Sequence, residues 1–127
     1  MVTIFADTTS SIKVEEAKEL GIEYFPQIII FGDQSFRDDN EIDSDTFLKK
    51  LKSSSTLPKT AAPPPSLYNP LFEKHLAMGN SILVLAPSIK VSGTFRSAEV
   101  AKQDFPNGNI QIIDTLVIGA SLSSIVK

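Results

Sequence analysis

The sequence predicts an α/β domain with a mostly parallel sheet, flanking helices and one short antiparallel hairpin. Apolar, β-branched runs of strand length alternate with segments of helical periodicity, which favours parallel strands joined by crossover helices. Clusters of Gly, Pro, Asn, Asp and Ser separate these segments, as is typical of turns. With 127 residues, 42% of them hydrophobic, the chain is long enough for one domain with its own core.

The first strand is predicted over residues 2–6, a short apolar run rich in β-branched side chains. The Asp, Thr and Ser cluster at residues 7–11 can turn the chain and cap a helix. That helix is predicted to end at Gly21, because glycine commonly terminates helices. Its inward-facing positions are predicted to be Ile12, Ala17 and Leu20.

The next strand signal extends over residues 22–31 and is strongest over residues 27–31. Pro26 indicates an edge, a bulge or the start of a strand at that point. A turn at residues 32–34 allows residues 35–38 to return as the second strand of a short hairpin.

An acidic segment overlaps the hairpin, since residues 33–45 contain six acids and one arginine and are predicted to form a solvated, negative lobe. Residues 43–45 can cap a short helix. The apolar positions of that helix are Phe47, Leu48 and Leu51. Residues 53–65 are predicted to be a loop, because five of the eight prolines fall between Pro58 and Pro70.

A third helix is predicted from Ser66, which can cap it, to Gly79, which ends it, with Pro70 tolerated in its first turn. His75 lies in this helix with no His or Cys at ligand spacing. We interpret it as a surface or boundary residue rather than a ligand or a catalytic base. The apolar stripe of this helix is Leu67, Leu71, Phe72 and Leu76.

The second half of the chain continues the alternation. Residues 81–86 are the clearest strand, residues 87–94 a loop, and residues 95–105 an amphipathic helix. A last strand is predicted over residues 110–113, and the pattern from residue 116 onward is helical or continuously apolar. The apolar residues available for burial there are Leu116, Val117, Ile118, Leu122 and Ile125.

Composition and missing motifs exclude several classes of function. A net charge of −3 argues against a nucleic acid partner. The absence of cysteine excludes disulfides, thiolate metal sites and a cysteine nucleophile. No phosphate-loop or dinucleotide motif and no complete catalytic constellation is visible, so we predict no enzyme activity, no metal and no cofactor. No leader or membrane-spanning run is found, so a cytoplasmic protein without stable membrane insertion is expected.

Ligands of parallel sheets bind beyond the carboxyl ends of the strands. Three loops rich in hydroxyl groups are predicted to meet there, at residues 7–10, 87–94 and 114–115. The tripeptide Ser92-Gly93-Thr94 is the sharpest signal among them. Glycine permits close backbone approach, and free N–H groups of the following helix together with two hydroxyls can bind an anion. The sequence therefore predicts a small oxyanion site, for a carboxylate or a phosphate.

Local reasoning leaves alternatives open at two of these positions. Ser92 can act only as a helix cap. Thr60, in the proline-rich loop, is by itself an ordinary surface residue of a stiff extended connector.

Short motifs occur in a defined order along the chain. They are Ile4-Phe5-Ala6-Asp7-Thr8-Thr9, Glu19-Leu20-Gly21-Ile22, Phe31-Gly32-Asp33, Phe36-Arg37-Asp38, Pro58-Lys59-Thr60, the run Ser88 to Ala98 around Ser92-Gly93-Thr94, and Ile113-Asp114-Thr115. No one motif is decisive. In this order and spacing they resemble the DegV family of bacterial fatty-acid-binding proteins over essentially the whole chain.

The resemblance implies a protein of two α/β domains that holds one long-chain fatty acid in an apolar tunnel. It places the carboxylate-binding hydroxyls on Thr60 and Ser92, with backbone contacts from Gly93 and Thr94. It also implies that the bound carboxylate is presented to a partner fatty acid kinase, which makes the acyl phosphate.

Two features depart from the family pattern. Around Thr60 the family usually has a Thr-Thr-Ser-Gln-Pro-like run, whereas this chain has Lys59-Thr60-Ala61-Ala62-Pro63. Family members are also much longer. Residues 1–127 are therefore expected to be the N-terminal α/β domain of the family, with the second, C-terminal domain absent.

The predicted function is binding of a long-chain fatty acid for presentation to the kinase, without catalysis. The alternatives are an anion- or phosphate-binding domain without lipid specificity, and an interaction fragment without a ligand. Weak or no stable lipid binding is expected without the second domain. The acidic residues 38–45 are a candidate docking segment for the kinase.

Overall fold

The computed structural model describes all residues, 1–127. The strands are β1 (Val2–Asp7), β2 (Glu23–Phe25), β3 (Ile28–Phe31), β4 (Gln34–Arg37), β5 (Lys59–Ala61), β6 (Ser81–Ala86) and β7 (Ile110–Asp114). The helices are α1 (Val14–Glu19), α2 (Ser44–Ser53), α3 (Pro65–Ala77), α4 (Thr94–Lys102) and α5 (Ala120–Val126). A 3-10 turn over Thr8–Ser10 directly follows β1.

A four-stranded parallel sheet in the order β2-β1-β6-β7 forms the centre of the fold, which confirms the predicted α/β class. Successive residues of a strand point to opposite faces of a sheet, so Phe5 and Ala6 of β1 enter different cores. Helices α3 and α4 cover the face of Phe5, and α1 and α5 cover the face of Ala6.

The core on the α3 and α4 side is rich in aromatic rings. Phe5 lies 5.5 Å from Phe25 and 5.3 Å from Phe72, measured between ring centroids, and Phe25 stacks on Tyr68 at 4.3 Å. These spacings are typical of stabilising aromatic pairs. The core thereby fixes α3 against the parallel sheet.

A separate antiparallel sheet in the order β4-β3-β5 lies beside the parallel one. The hairpin of β3 and β4 confirms the predicted return strand. Strand β5 was not predicted, because residues 53–65 were expected to be a loop. Its residues Thr60 and Lys59 pair with Ile29 and Ile30, since the open edge of β3 offers backbone hydrogen bonds to an extended chain.

Several local predictions are confirmed. The Asp43 side chain accepts a hydrogen bond from the Thr46 N–H at the start of α2, as expected of a helix cap. Gly79 follows α3 with φ of +77°, a left-handed conformation that glycine adopts readily. Strand β6 has the predicted bounds.

Other local predictions are wrong. Leu20 was expected to face inward, but it follows α1 and is 51% exposed. Ser66 does not cap α3, because Pro65 already occupies the first turn and Pro64 precedes it. Pro70 consequently lies inside the helix, beyond its first turn.

The segment after β7 is only partly buried. Leu122 and Val126 of α5 enter the core. In contrast, Leu116, Ile118 and Ile125 are 63%, 50% and 48% exposed, although they were expected to be available for burial. Two of these three residues belong to the β7–α5 loop.

His75 was interpreted as a surface or boundary residue, but the structure buries it. Its Nε2 lies 2.8 Å from the Glu23 carboxylate and its Nδ1 lies 3.2 Å from the Thr3 hydroxyl. Because a carboxylate only accepts hydrogen bonds, Nε2 carries a proton. His75 therefore joins α3 to β1 and β2 as a hydrogen-bonded core residue.

No helix of the structure has both the length and the apolar character needed to cross a bilayer. The longest, α3, has 13 residues.

Candidate functional site

The three loops at the carboxyl ends of β1, β6 and β7 come together, as the sequence predicts. The Gly119 N–H donates to the Thr9 carbonyl at 2.7 Å, and the Ser88 N–H donates to the Val117 carbonyl at 2.9 Å. The Ile89 N–H also donates to the Asp114 carboxylate at 3.2 Å. These bonds hold the loops as one edge.

Ser92 and Gly93 lie at this edge, immediately before α4. Gly93 is the N-cap residue of α4, so Ser92 does not cap the helix, although its Oγ accepts a hydrogen bond from the Thr94 N–H at 3.3 Å. The backbone N–H groups of Gly93, Phe95 and Arg96 donate to no protein acceptor. The first turn of α4 therefore offers free N–H donors next to a serine hydroxyl, an arrangement suited to an anion.

Gly93 has φ of −85°, which any residue can adopt. A side-chain Cβ would also fit there at an ordinary contact distance. A Cβ built on Gly93 would lie 3.5 Å from the Cβ of Ala62, two residues after Thr60. The start of α4 and the end of β5 are thus in close contact.

Thr60 is exposed on β5, directly opposite Ile29. Neighbouring residues of a strand alternate between its two faces, so the Lys59 side chain points away from the face that carries Thr60. Lys59 consequently does not lie beside the Thr60 hydroxyl. The structure brings β5 and the Ser92 loop together at the contact between Ala62 and Gly93.

Thr94 is buried and its side chain belongs to an internal network. Its hydroxyl donates to the Asp7 Oδ2 at 2.6 Å. The Gln27 Nε2 donates to the same oxygen at 2.7 Å and to the Thr94 Oγ1 at 3.0 Å. Because its one hydroxyl proton is already engaged by Asp7, the Thr94 side chain has none left to donate to a ligand.

Asp7 carries the formal charge of this network and is 1% exposed. Burial raises the pKa of its carboxyl, and hydrogen bonds from Thr9, Thr94 and Gln27 oppose that rise. Asp38 behaves similarly, since burial raises its pKa while bonds from the Thr8 hydroxyl and the Gln27 N–H lower it. The sequence predicted a solvated acidic lobe that includes Asp38. That prediction is wrong for Asp38, because its carboxylate is partly buried and hydrogen-bonded.

Sequence reasoning missed Asp7 and Gln27 as members of the site. Asp7 carried a detectable signal, because it is a polar residue that ends a buried strand and begins a predicted ligand loop. Gln27 carried none, because its place in a strand-like run does not reveal that its amide turns inward.

No group of three or more His, Cys, Asp or Glu side chains is placed to hold a metal ion. The chemistry of this edge is that of hydroxyls and backbone N–H groups, which donate hydrogen bonds to anions.

Together, the fold and the edge define a class: an α/β domain with free N–H and hydroxyl groups at the carboxyl end of a parallel sheet. The sequence pattern of the DegV family, a family of uncharacterised proteins, matches residues 1–127. The chain belongs to the DegV family.

Relatives and solved structures agree with this assignment. A DegV domain-containing protein of Clostridium perfringens is 28% identical over 125 residues, which are 98% of this chain and 45% of the relative. A fatty-acid-binding DegV family protein of Thermus thermophilus superimposes with a TM-score of 0.88 at 27% identity, covering 98% of this chain and 44% of that one. A hypothetical protein of Thermotoga maritima, whose structure revealed a fatty acid binding function, superimposes with a TM-score of 0.80 at 25% identity. The match covers 95% of this chain and 45% of that one. The chain thus spans less than half of the length of these proteins.

Proposed function

We propose that this chain binds the carboxylate of a long-chain fatty acid. The hydroxyls of Thr60 and Ser92 donate to the carboxylate, and the free N–H of Gly93 adds a third donor. Thr94 takes part through its backbone N–H, which donates to the Ser92 Oγ at 3.3 Å in the ligand-free chain and turns to the carboxylate on binding. The observation that carries the proposal is the set of free N–H groups beside Ser92, which lie near the end of β5 because Ala62 is next to Gly93. The DegV structures similar to this chain that are described as fatty-acid-binding proteins support it.

The physical basis is anion binding at a helix start. Unpaired N–H groups and the helix dipole favour negative charge at the first turn of α4. A hydrogen bond to a charged group contributes about 1.5–3 kcal/mol. The hydroxyls and N–H groups of this edge therefore set the position of the carboxylate.

Apolar side chains at the same edge favour a lipid over a small anion. Val91 precedes Ser92 and is 68% exposed, while Leu116 and Ile118 of the neighbouring loop are also exposed. Burial of an acyl chain contributes about 0.8 kcal/mol per methylene. In the longer relatives more than half of the chain lies outside the matched part. We propose that the corresponding C-terminal domain covers most of the tail, so residues 1–127 alone bind weakly.

The domain acts by binding rather than by catalysis, and it presents the carboxylate to a partner fatty acid kinase in the cytoplasm. Support comes from the exposure of Thr60 and Gly93, which leaves the proposed site open to a partner. Within the acidic segment, the Asp38 carboxylate is engaged by Thr8 and Gln27. The candidate docking residues for the kinase are therefore those from 39 to 45.

Ser92→Ala tests the carboxylate site. We expect the affinity for octanoate, a soluble fatty acid, to fall about tenfold or more, because one hydrogen bond to a charged group is lost. Folding stability should fall by only about 1 kcal/mol, the usual contribution of a hydrogen bond such as that from the Thr94 N–H to the Ser92 Oγ. Affinity is measured by amide NMR titration and stability by urea unfolding.

The matched control is Ser66→Ala, because Ser66 is exposed near the start of α3 and its side chain makes no hydrogen bond. It should leave the octanoate affinity unchanged. If Ser92→Ala kept full octanoate affinity in a folded protein, the assignment of Ser92 would be wrong. If inorganic phosphate bound the wild type as well as octanoate does, the site would be a general anion site.

A further inference from the structure

We propose that Gln27 is a positioning residue of the carboxylate site. Its backbone anchors the antiparallel sheet that carries Thr60, and its side-chain amide holds the network beneath Ser92. The inference rests on the proposed function and extends it. It states that one buried residue, which does not touch the ligand, positions both ligand hydroxyls, those of Thr60 and Ser92.

The backbone of Gln27 fixes the antiparallel sheet to the end of β1. Its N–H is shared between the Thr8 Oγ1 at 3.0 Å and the Asp38 Oδ1 at 2.9 Å. Its carbonyl accepts from the Asp38 N–H at 3.1 Å. Strand β3 begins at the next residue, and its Ile29 is the register partner of Thr60. The position of Thr60 therefore depends on where Gln27 is held.

The side chain of Gln27 fixes the other half of the site. Its amide nitrogen has two protons, and its contacts with the Asp7 Oδ2 and the Thr94 Oγ1 use both. The Thr94 hydroxyl proton points to Asp7. In the 3.1 Å contact between the Ser92 Oγ and the Thr94 Oγ1, Ser92 must therefore be the donor. In the ligand-free chain the one Ser92 proton therefore points to Thr94. Because Gln27 also donates to the Thr94 Oγ1, Ser92 can turn its proton to a carboxylate without leaving that buried oxygen unpaired.

The same amide also accommodates negative charge near a site for an anion. The buried Asp7 carboxylate accepts from Gln27, Thr94 and Thr9, and these donors stabilise it without adding a positive side chain. Loss of the Gln27 amide would leave the Asp7 carboxylate and the Thr94 Oγ1 each one donor short. Ser92 would then be the only side-chain donor to the Thr94 Oγ1, and turning its proton to a carboxylate would leave that buried oxygen without a donor.

The test compares an acid with an alcohol of the same chain length. Gln27→Met keeps a side chain of similar length without amide donors, and Gln103→Met is the matched control, since Gln103 is exposed after α4. Amide NMR titrations with octanoate and with 1-octanol give both affinities. We expect Gln27→Met to lower the octanoate affinity about tenfold while changing the octanol affinity less than about twofold. Gln103→Met should change neither affinity.

A double-mutant cycle shows whether Gln27 acts through Ser92. In the Ser92→Ala background, Gln27→Met should cost much less octanoate affinity than in the wild type, because the hydroxyl that it positions is gone. Fully additive effects would overturn the proposal. Equal losses for octanoate and octanol would also overturn it, since they would indicate only a structural role.

Further variants distinguish a folding defect from failure of the positioning role and from failure of the proposed function. If Gln27→Met does not fold, Gln27→Asn replaces it, because it keeps an amide but withdraws it by one methylene. Failure of both to fold would overturn the proposal in favour of a purely structural role. The proposed function itself fails if the wild type does not prefer octanoate over octanol, or if Ser92→Ala has no effect. If Ser92→Ala lowers the octanoate affinity and folded Gln27→Met leaves it unchanged, only the positioning role of Gln27 fails.

Discussion

At the scale of single residues, Asp7 links the fold to the proposed site. Its Oδ1 accepts from the Thr9 N–H and the Thr9 hydroxyl, and its Oδ2 accepts from Thr94 and Gln27. Buried polar groups are tolerated when they are hydrogen-bonded in this way. Burial raises the pKa of the Tyr68 hydroxyl, which has no hydrogen-bond partner, and the charge of Asp7 adds to that rise.

Asp7 should make stability depend on pH. Burial raises its pKa above the ordinary value of 3.8, so the folded state holds the proton more tightly than the unfolded chain. The resulting stabilisation is fully present below pH 3.8, the ordinary pKa of the unfolded chain. It is lost as pH rises through the higher pKa of the folded state. The unfolding free energy of the wild type relative to Asp7→Asn should therefore fall as pH rises above about 4.

Urea unfolding of both proteins across this range checks the prediction. Asp38, whose pKa burial also raises, is present in both proteins, so the difference between them reports chiefly on Asp7. A difference that stayed constant or grew with pH would contradict the assigned direction.

The site residues differ in how far the sequence could reveal them. Ser92 and Gly93 were selected from a local pattern, because a hydroxyl and a glycine before an amphipathic helix have physical meaning by themselves, and their ligand role stays a prediction. Thr60 was selected only by family resemblance, and its ligand role stays a prediction. Gln27 could not be found, because its role depends on groups up to 67 residues away in sequence.

At the scale of elements, prediction succeeded where burial imposes a pattern. Strand β6 is buried along most of its length and reads as a continuous apolar run. Strand β5 has three exposed residues and no alternation, so only its pairing with β3 defines it. The start of α3 was misplaced because Pro65, rather than a capping serine, begins the helix.

Helix α3 should depend strongly on Phe72. This side chain is fully buried and packs against Phe5, Tyr68 and Phe105. Phe72→Ala should lower the unfolding free energy by about 3–5 kcal/mol, because it removes apolar contacts and leaves a cavity.

Urea unfolding at neutral pH measures this loss. Met78→Ala serves as the control, because Met78 follows the same helix and is 64% exposed, so its truncation should change stability by less than about 0.5 kcal/mol. Equal effects of the two substitutions would contradict the described packing of α3.

At the scale of the whole molecule, two sheets are joined at the edge that carries the proposed site. The alternation of strands and helices predicted the parallel sheet, but it did not predict that the hairpin forms a separate sheet with β5. Pro26 breaks the chain between β2 and β3, so the chain leaves the parallel sheet there. Thr8, Gln27 and Asp38 then hold the antiparallel sheet against the end of β1.

This arrangement places the parts of the proposed site on different sheets. Thr60 belongs to the antiparallel sheet, and Ser92 follows the parallel one. A carboxylate bound by both would connect the sheets directly. The central claim is that this connection is available in residues 1–127 and is selective for a fatty acid.

A backbone-amide NMR titration of the wild-type chain with octanoate, with inorganic phosphate as the control, tests this claim most directly. The account predicts octanoate-specific shifts at Thr60 and at Ser92, Gly93 and Thr94, with weak affinity and little response to phosphate. Equal shifts with phosphate would contradict fatty-acid selectivity. Shifts confined to other parts of the chain, or none at all, would contradict the location of the site.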